Sequence, residues 1–146
     1  MYICEHFKLQ ELVSPIVYQK YGQFAWNFFD SRFLQDIDLL RKKWGKPLVV
    51  NNWEKGGGYK QSGLRCNVDP LVKGKTEPYL SAHCLGRAVD IKPIKLVDCD
   101  DLFLCVLDNY KDFQVISRVE NINVTGVYVH IDSMIPRAKN ITIFNA

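Results

Sequence analysis

The sequence predicts an α+β domain, a small and mostly antiparallel sheet with helices packed on one side. Two alternating runs and one helical run carry that prediction. Val127-Tyr128-Val129-His130-Ile131-Asp132 alternates strictly, which puts Val127, Val129 and Ile131 inward and Tyr128, His130 and Asp132 outward. Arg87 to Lys92 alternates as well. Val89 and Ile91 suit a core, so Ala88, Asp90 and Lys92 belong to the opposite face. Phe33, Ile37, Leu40 and Trp44 recur instead at helical spacing.

In chain order, Phe7 to Val13 reads as strand-like. Ser14 then caps a short helix with Pro15 in its first turn, running to about Tyr21 and ended by Gly22. Residues 23–29 are rich in aromatics (Phe24, Trp26, Phe28, Phe29), which suits either core packing or an aromatic wall on a groove. Asp30 caps the clearest helix. Arg41-Lys42-Lys43 complement the dipole in its last turn, and Gly45 with Pro47 stop it. Leu48 to Trp53 reads as a strand. Gly56-Gly57-Gly58 is a flexible loop rather than a phosphate cradle, since no Lys-Ser/Thr pair follows it. Residues 68–80 suit the rim of a cleft. A helix runs from about Asp98, with Asp101 completing a capping pair, to about Asn109. Next comes a hairpin, Phe113 to Glu120 and then the His130 strand, joined by a turn over 121–126. Ile141 to Phe144 reads as an edge strand.

The chain has 146 residues, enough for one domain over 1–146 to bury a core without disulfide staples. Apolar residues make up 47% and no run approaches the roughly eighteen needed to cross a bilayer, which excludes membrane insertion by a helix. A net charge of +3 is too mild to argue for nucleic acid. The five cysteines form no Cys-x-x-Cys pair and read as reduced thiols of a cytoplasmically made protein. Cys84 adjoins His83 and reads as packing. The first six residues lack a basic region followed by an apolar run, so no signal peptide is expected.

The chemistry concentrates in Ser81-Ala82-His83-Cys84-Leu85-Gly86-Arg87-Ala88-Val89-Asp90. Gly86 permits a tight turn, so His83 can fold back to the face that carries Asp90. His130 sits on the polar face of the second alternating run. If the two runs are neighbouring strands, His83, Asp90 and His130 form three ligands with a fourth position open. Two histidines and a carboxylate with an open position suit a catalytic zinc, one Zn2+ per chain. Taken singly, His130 also reads as a hydrogen-bonded sheet histidine and Asp90 as a solvated edge residue.

Ser81-x-His83-x-x-Gly86-x-Ala88-x-Asp90 followed by Val129-His130-Ile131-Asp132 resembles the zinc D-Ala-D-Ala carboxypeptidase family of peptidoglycan peptidases. That family includes vancomycin-resistance dipeptidases and many phage endolysins, and its fold is similar to the hedgehog signalling domain. Phe7 to Ser14 resembles the opening of its phage-type branch. Ser62-Gly63-Leu64-Arg65 resembles its Ser-Gly-Tyr-Arg, with Leu64 in place of the aromatic. The resemblance implies a hedgehog/DD-peptidase-like fold and a zinc metallopeptidase that cuts stem-peptide or cross-link amides next to D-amino acids. It makes Arg65 the residue that grips a substrate carboxylate or polarises the scissile carbonyl, the alternative being a surface arginine.

Many members keep a glutamate base three residues before the last histidine, where this chain has Val127. Glu120 is the nearest acid and the expected general base; otherwise it is an exposed hairpin glutamate or pairs with Arg118. Asp132 is expected to orient a ligand histidine, Tyr128 to line the groove or stabilise the oxyanion, and Ser81 to hydrogen-bond near the ligands. The expected partners are peptidoglycan stem peptides, met by a monomer with no nucleic acid and no membrane insertion. The protein is expected to be made in the cytoplasm and to reach the wall by holin-type release or as a virion component. A second expectation, from another class, is a metal-binding but inactive module that recognises wall peptides or another protein. A third is a cytoplasmic dipeptidase acting on free D-Ala-D-Ala.

Overall fold

In the computed structural model, which describes residues 1–145, five strands form one sheet. They are β1 (Leu48–Val49), β2 (Ala88–Pro93), β3 (Arg118–Glu120), β4 (Val129–Asp132) and β5 (Thr142–Phe144), in the spatial order β1-β2-β4-β3-β5. The pairs β1–β2, β2–β4 and β4–β3 are antiparallel, and β5 adds in parallel beside β3. The register sets Val89 opposite Ile131 and Val119 opposite the same Ile131. All three are fully buried, together with Ile91 and Val129. The same register sets Asp90 opposite His130. Because side chains alternate across a strand, this cross-strand pair must project from the other face.

Five helices accompany the sheet: α1 (Leu9–Leu12), α2 (Pro15–Tyr21), α3 (Ser31–Trp44), α4 (Cys99–Asp108) and α5 (Ile122–Thr125). The Ser14 hydroxyl accepts from the Val17 amide, with Pro15 opening α2 as expected. Asp30 accepts from the Arg32 amide at the start of α3, and Gly45 closes that helix in the left-handed conformation. Phe33, Ile37 and Leu40 turn into the core, and α4 packs Leu102 and Val106 beside them against β2 and β4. The polar face of the sheet meets Tyr59, Ser62 and His83 instead, through Lys92 and His130.

Several local expectations are corrected. Phe7 to Val13 is not strand-like, since Leu9–Leu12 form a helical turn whose first amide, that of Lys8, donates to the Glu11 carboxylate. Leu9, Leu12 and Val13 are all buried at the spacing of one helix face, whereas Phe7, Leu9 and Val13, also buried, fall on alternate positions as in a strand. The strand expected over 48–53 stops at Val49, and Trp53–Lys55 form a 3-10 turn. Asn51 is the cause. Its amide donates to Glu11 O, its Nδ2 to Val13 O, and its Oδ1 accepts from the Ser62 amide, so it ties three segments instead of extending a ladder.

Asp98 makes no capping hydrogen bond, because a 3-10 turn over Leu96–Asp98 leaves it at ψ 9° rather than in the extended conformation a cap requires. In the aromatic stretch Trp26 and Phe29 join the core while Phe24 and Phe28 stay exposed. Val127 also departs from expectation. It is 52% exposed, because its amide bonds Thr125 O at the end of α5 and the alternation starts only at Val129.

Candidate metal centre

His83 is delivered by a tight turn. Ser81 O accepts from the amides of Cys84 and Leu85, Ala82 O accepts from Arg87 N at 2.9 Å, and Ser81 Oγ accepts from His83 N at 3.3 Å. Ser81 therefore shapes the loop that carries the ligand. Gly86 closes it at φ +65°, and a Cβ there would overlap the Phe28 carbonyl. Gly63 is constrained in the same way, since a Cβ there would overlap Leu12 O. Its own carbonyl accepts from His83 Nδ1 at 3.0 Å, which gives the glycine of Ser62-Gly63-Leu64-Arg65 a physical reason.

His83, Asp90 and His130 converge. His83 Nε2 lies 3.3 Å from both His130 Nδ1 and Asp90 Oδ1, and His130 Nδ1 lies 2.8 Å from Asp90 Oδ1. Ligand atoms about 2.05 Å from a tetrahedral zinc are about 3.3 Å apart, so two edges of this triangle already have that length. The third would open by about half an ångström. The group could hold a metal ion.

Hydrogen bonds behind the histidines decide which nitrogens face inward. Gly63 O can only accept, so His83 carries its proton on Nδ1 and turns the Nε2 lone pair to the centre. Asp132 Oδ2 receives His130 Nε2 at 3.2 Å, which turns His130 Nδ1 inward. Asp132 is fully buried. Arg118 grips it with two bonds of 2.9 Å, and the Met134 amide adds a third at 3.0 Å. Two lone pairs and a carboxylate oxygen thus point at one another, an arrangement that requires a cation between them, either a proton or a metal.

With a proton, the electrostatics divide the pair of histidines. Burial pushes the His83 imidazole down and outweighs its hydrogen bond to Asp90. Burial also works against charge on His130, but the hydrogen bonds to Asp132 and Asp90 prevail and raise it to about 9. Burial raises Asp90 while both histidines lower it, and the histidines win, holding its carboxyl well below the usual range. Asp132 is likewise held down, its burial outweighed by His130 and Arg118.

Around this centre stand the other expected residues. Arg65 is 9% exposed rather than on the surface, its Nε has no hydrogen-bond partner, and its side chain makes no ion pair among the described residues. Glu120 is 7% exposed, neither an exposed hairpin residue nor a partner of Arg118, whose fork is taken by Asp132. It shares a sheet face with Arg118, one step along the β3–β4 ladder towards His130. Among the described residues its carboxylate makes no hydrogen bond or ion pair. Tyr128 feels the charges of Asp90, Glu120 and Arg65, and burial is the main reason its hydroxyl is raised.

Three participants were missed by the sequence reading: the Gly63 carbonyl, Arg118 and Lys92. Lys92 is 4% exposed, and its Nζ donates to Ser62 Oγ at 2.9 Å and Asp90 O at 3.1 Å beneath the rings of Tyr59 and Tyr128. Burial pushes its ammonium down to about 8. Its place two residues after Asp90 on one face was the available signal.

No family model, curated protein or solved structure matches the chain. What the fold and the centre define by themselves is an α+β protein with a His-Asp-His group, buried at His83 and half-buried at Asp90 and His130, that could hold a metal ion.

Proposed function

We propose that the protein is a zinc-dependent peptidoglycan peptidase of the D-Ala-D-Ala carboxypeptidase type, cutting stem-peptide or cross-link amides next to D-amino acids. The convergence of His83 Nε2, Asp90 Oδ1 and His130 Nδ1 carries this reading. Zinc, when bound there, supplies a Lewis acid that polarises a carbonyl and acidifies water. The chain's own residues supply the rest. Arg65, whose buried Nε has no partner, offers its guanidinium to a substrate carboxylate or to the oxygen of the developing oxyanion. Glu120 accepts the attacking water's proton and passes it to the leaving amine. Asp132 holds His130 in its tautomer, and Tyr128 lines the groove. No helix among the described residues is long and apolar enough to cross a membrane. The reading adds delivery to the wall by holin-type release or as a virion component.

One observation favours an inactive wall-peptide or protein-binding module instead: Val127 stands where many family members keep their base. Turnover decides between the two. Purified peptidoglycan and soluble D-Ala-D-Ala are incubated with the zinc-loaded protein, with and without chelator, and the products are weighed by mass spectrometry. Peptidase action predicts new amide-cleaved muropeptides that chelator abolishes. Cuts in the sugar backbone, or chelator-insensitive cleavage, would overturn it, and zinc binding without turnover would favour the module.

A further inference from the structure

A cleft of about 390 Å³ lies between the start of α3 and the chain that follows β4. It shares no residue with the metal centre. Three guanidiniums line it from separate parts of the chain: Arg32 in the first turn of α3, Arg87 just before β2, and Arg137 after β4. Asp30 is its one carboxylate and is already engaged, accepting from Arg32 Nε at 3.1 Å and Nη2 at 2.7 Å as well as capping the helix. Arg137 is held in place by its Nη2 bond to Tyr110 O at 2.7 Å and by stacking 4.6 Å over the Tyr110 ring. Arg87 makes no side-chain hydrogen bond or ion pair among the described residues. Its backbone is nonetheless fixed, since its carbonyl accepts from Ser133 N at 3.0 Å. With Arg32 and Asp30 neutralising each other, Arg87 and Arg137 leave positive charge in excess around the pocket, and Arg137 is positioned before any ligand arrives.

We propose that this cleft is a phosphate-binding site. A carboxylate is satisfied by a single planar fork, whereas a phosphate group presents oxygens in several directions and uses forks converging from separate segments. The volume admits more than one such group. Phosphate reaches the cleft either as a small free anion or within a phosphodiester chain of an anionic polymer, and the two sources can be told apart.

The test uses the zinc-loaded protein at low ionic strength, where screening is weakest. Calorimetric titrations with inorganic phosphate, with a synthetic glycerol-phosphate oligomer and with acetate are run on wild type, Arg87→Gln, Arg87→Lys and Arg137→Gln. Saturable binding of phosphate or the oligomer is expected, weakened about tenfold or more by Arg87→Gln and partly recovered by Arg87→Lys. Zinc content should stay unchanged. Free phosphate binding as tightly as the oligomer identifies the small anion; a preference for the oligomer identifies the chain. If neither saturates, if acetate binds equally, or if Arg87→Gln binds like wild type, the proposal is overturned. Arg87 is exposed, so its variants fold and decide the matter even if Arg137→Gln does not.

Discussion

Zinc loading should carry the pH signature of a single histidine. In the metal-free protein the His130 imidazole, raised to about 9 despite its burial, is protonated at neutral pH. His83 is held neutral by burial, and Asp90 is already ionised. One proton therefore competes with the metal, and it sits on His130 Nδ1. Below pH 9 the apparent affinity should fall about tenfold per pH unit, hence about a hundredfold at pH 7, worth about 2.7 kcal/mol. Competition against a chromophoric chelator between pH 6.5 and about 10 measures the slope. Titrations in buffers of different ionisation enthalpy count the protons, and about one per zinc is expected at pH 7.5.

The sign for folding follows from the same group. A pKa raised above the unfolded value of 6.5 stabilises the metal-free protein fully below that value, and the gain is lost as pH rises through about 9. Saturating zinc, which replaces the proton, should remove that dependence. An affinity that does not change between pH 7 and 9 would refute the reasoning. It would mean that His130 Nδ1 is not the protonated inward atom. Release of two protons would refute the neutral state assigned to His83, since a change of tautomer alone releases none.

Four further outcomes follow from the surroundings. Glu120→Gln should keep zinc and the fold but lose roughly 10²–10⁴-fold in turnover if it is the base. Val127→Glu, at a half-exposed position outside β4, should barely move the unfolding midpoint and should not raise the rate. Arg65→Ala should cost on the order of 2 to 4 kcal/mol in the transition state at unchanged zinc content, with little rescue by Arg65→Lys; wild-type rates in both would remove Arg65 from the site. Gly86→Ala should lower the denaturation free energy by more than the roughly 1–2 kcal/mol of a left-handed alanine, because its Cβ meets Phe28 O. Gly74→Ala, with open space and no positive φ, is the control and should change little.

What was legible in the sequence was what depends on local pattern. Ser14 and Asp30 cap their helices because a cap needs only the next two or three amides. Alternation put Asp90 and His130 on polar faces, and the β2–β4 register then made them direct opposites. Alternation failed at Val127 because the pattern outran the strand; once the chain leaves the ladder, nothing holds a side chain to a face. Leu9–Leu12 were misread because Phe7, Leu9 and Val13 fall on alternate positions, and only Leu12 breaks the strand pattern in favour of the helical one. Asn51 ended its strand through bonds to residues 11, 13 and 62, which no local window contains. The Gly63 carbonyl was out of reach for a similar reason, since a backbone oxygen leaves no mark on residue type. Arg118 could have been linked to Asp132 only by knowing that the two face each other across β3 and β4.

That Arg118–Asp132 pair bears on the unusual location of the proposed base. Arg118 and Glu120 project from the same face of a three-residue strand, and in isolation they would form an ion pair. Asp132 prevents this. Fully buried and opposite Arg118 in the ladder, it takes both arms of the guanidinium, while Phe144 of β5 stacks on the guanidinium 4.4 Å from its ring. The carboxylate that fixes the His130 tautomer therefore also withdraws the nearest cation from Glu120. With Arg118 occupied and Lys92 turned to Ser62 and the Asp90 carbonyl, the Glu120 carboxylate has no partner among the described residues, on the face that carries the histidine oriented by Asp132. A glutamate on β3 can then serve in place of one before β4. Under the proposed function the base would stand across the ladder on β3 rather than at Val127, and full zinc-dependent turnover by Glu120→Gln would refute that placement.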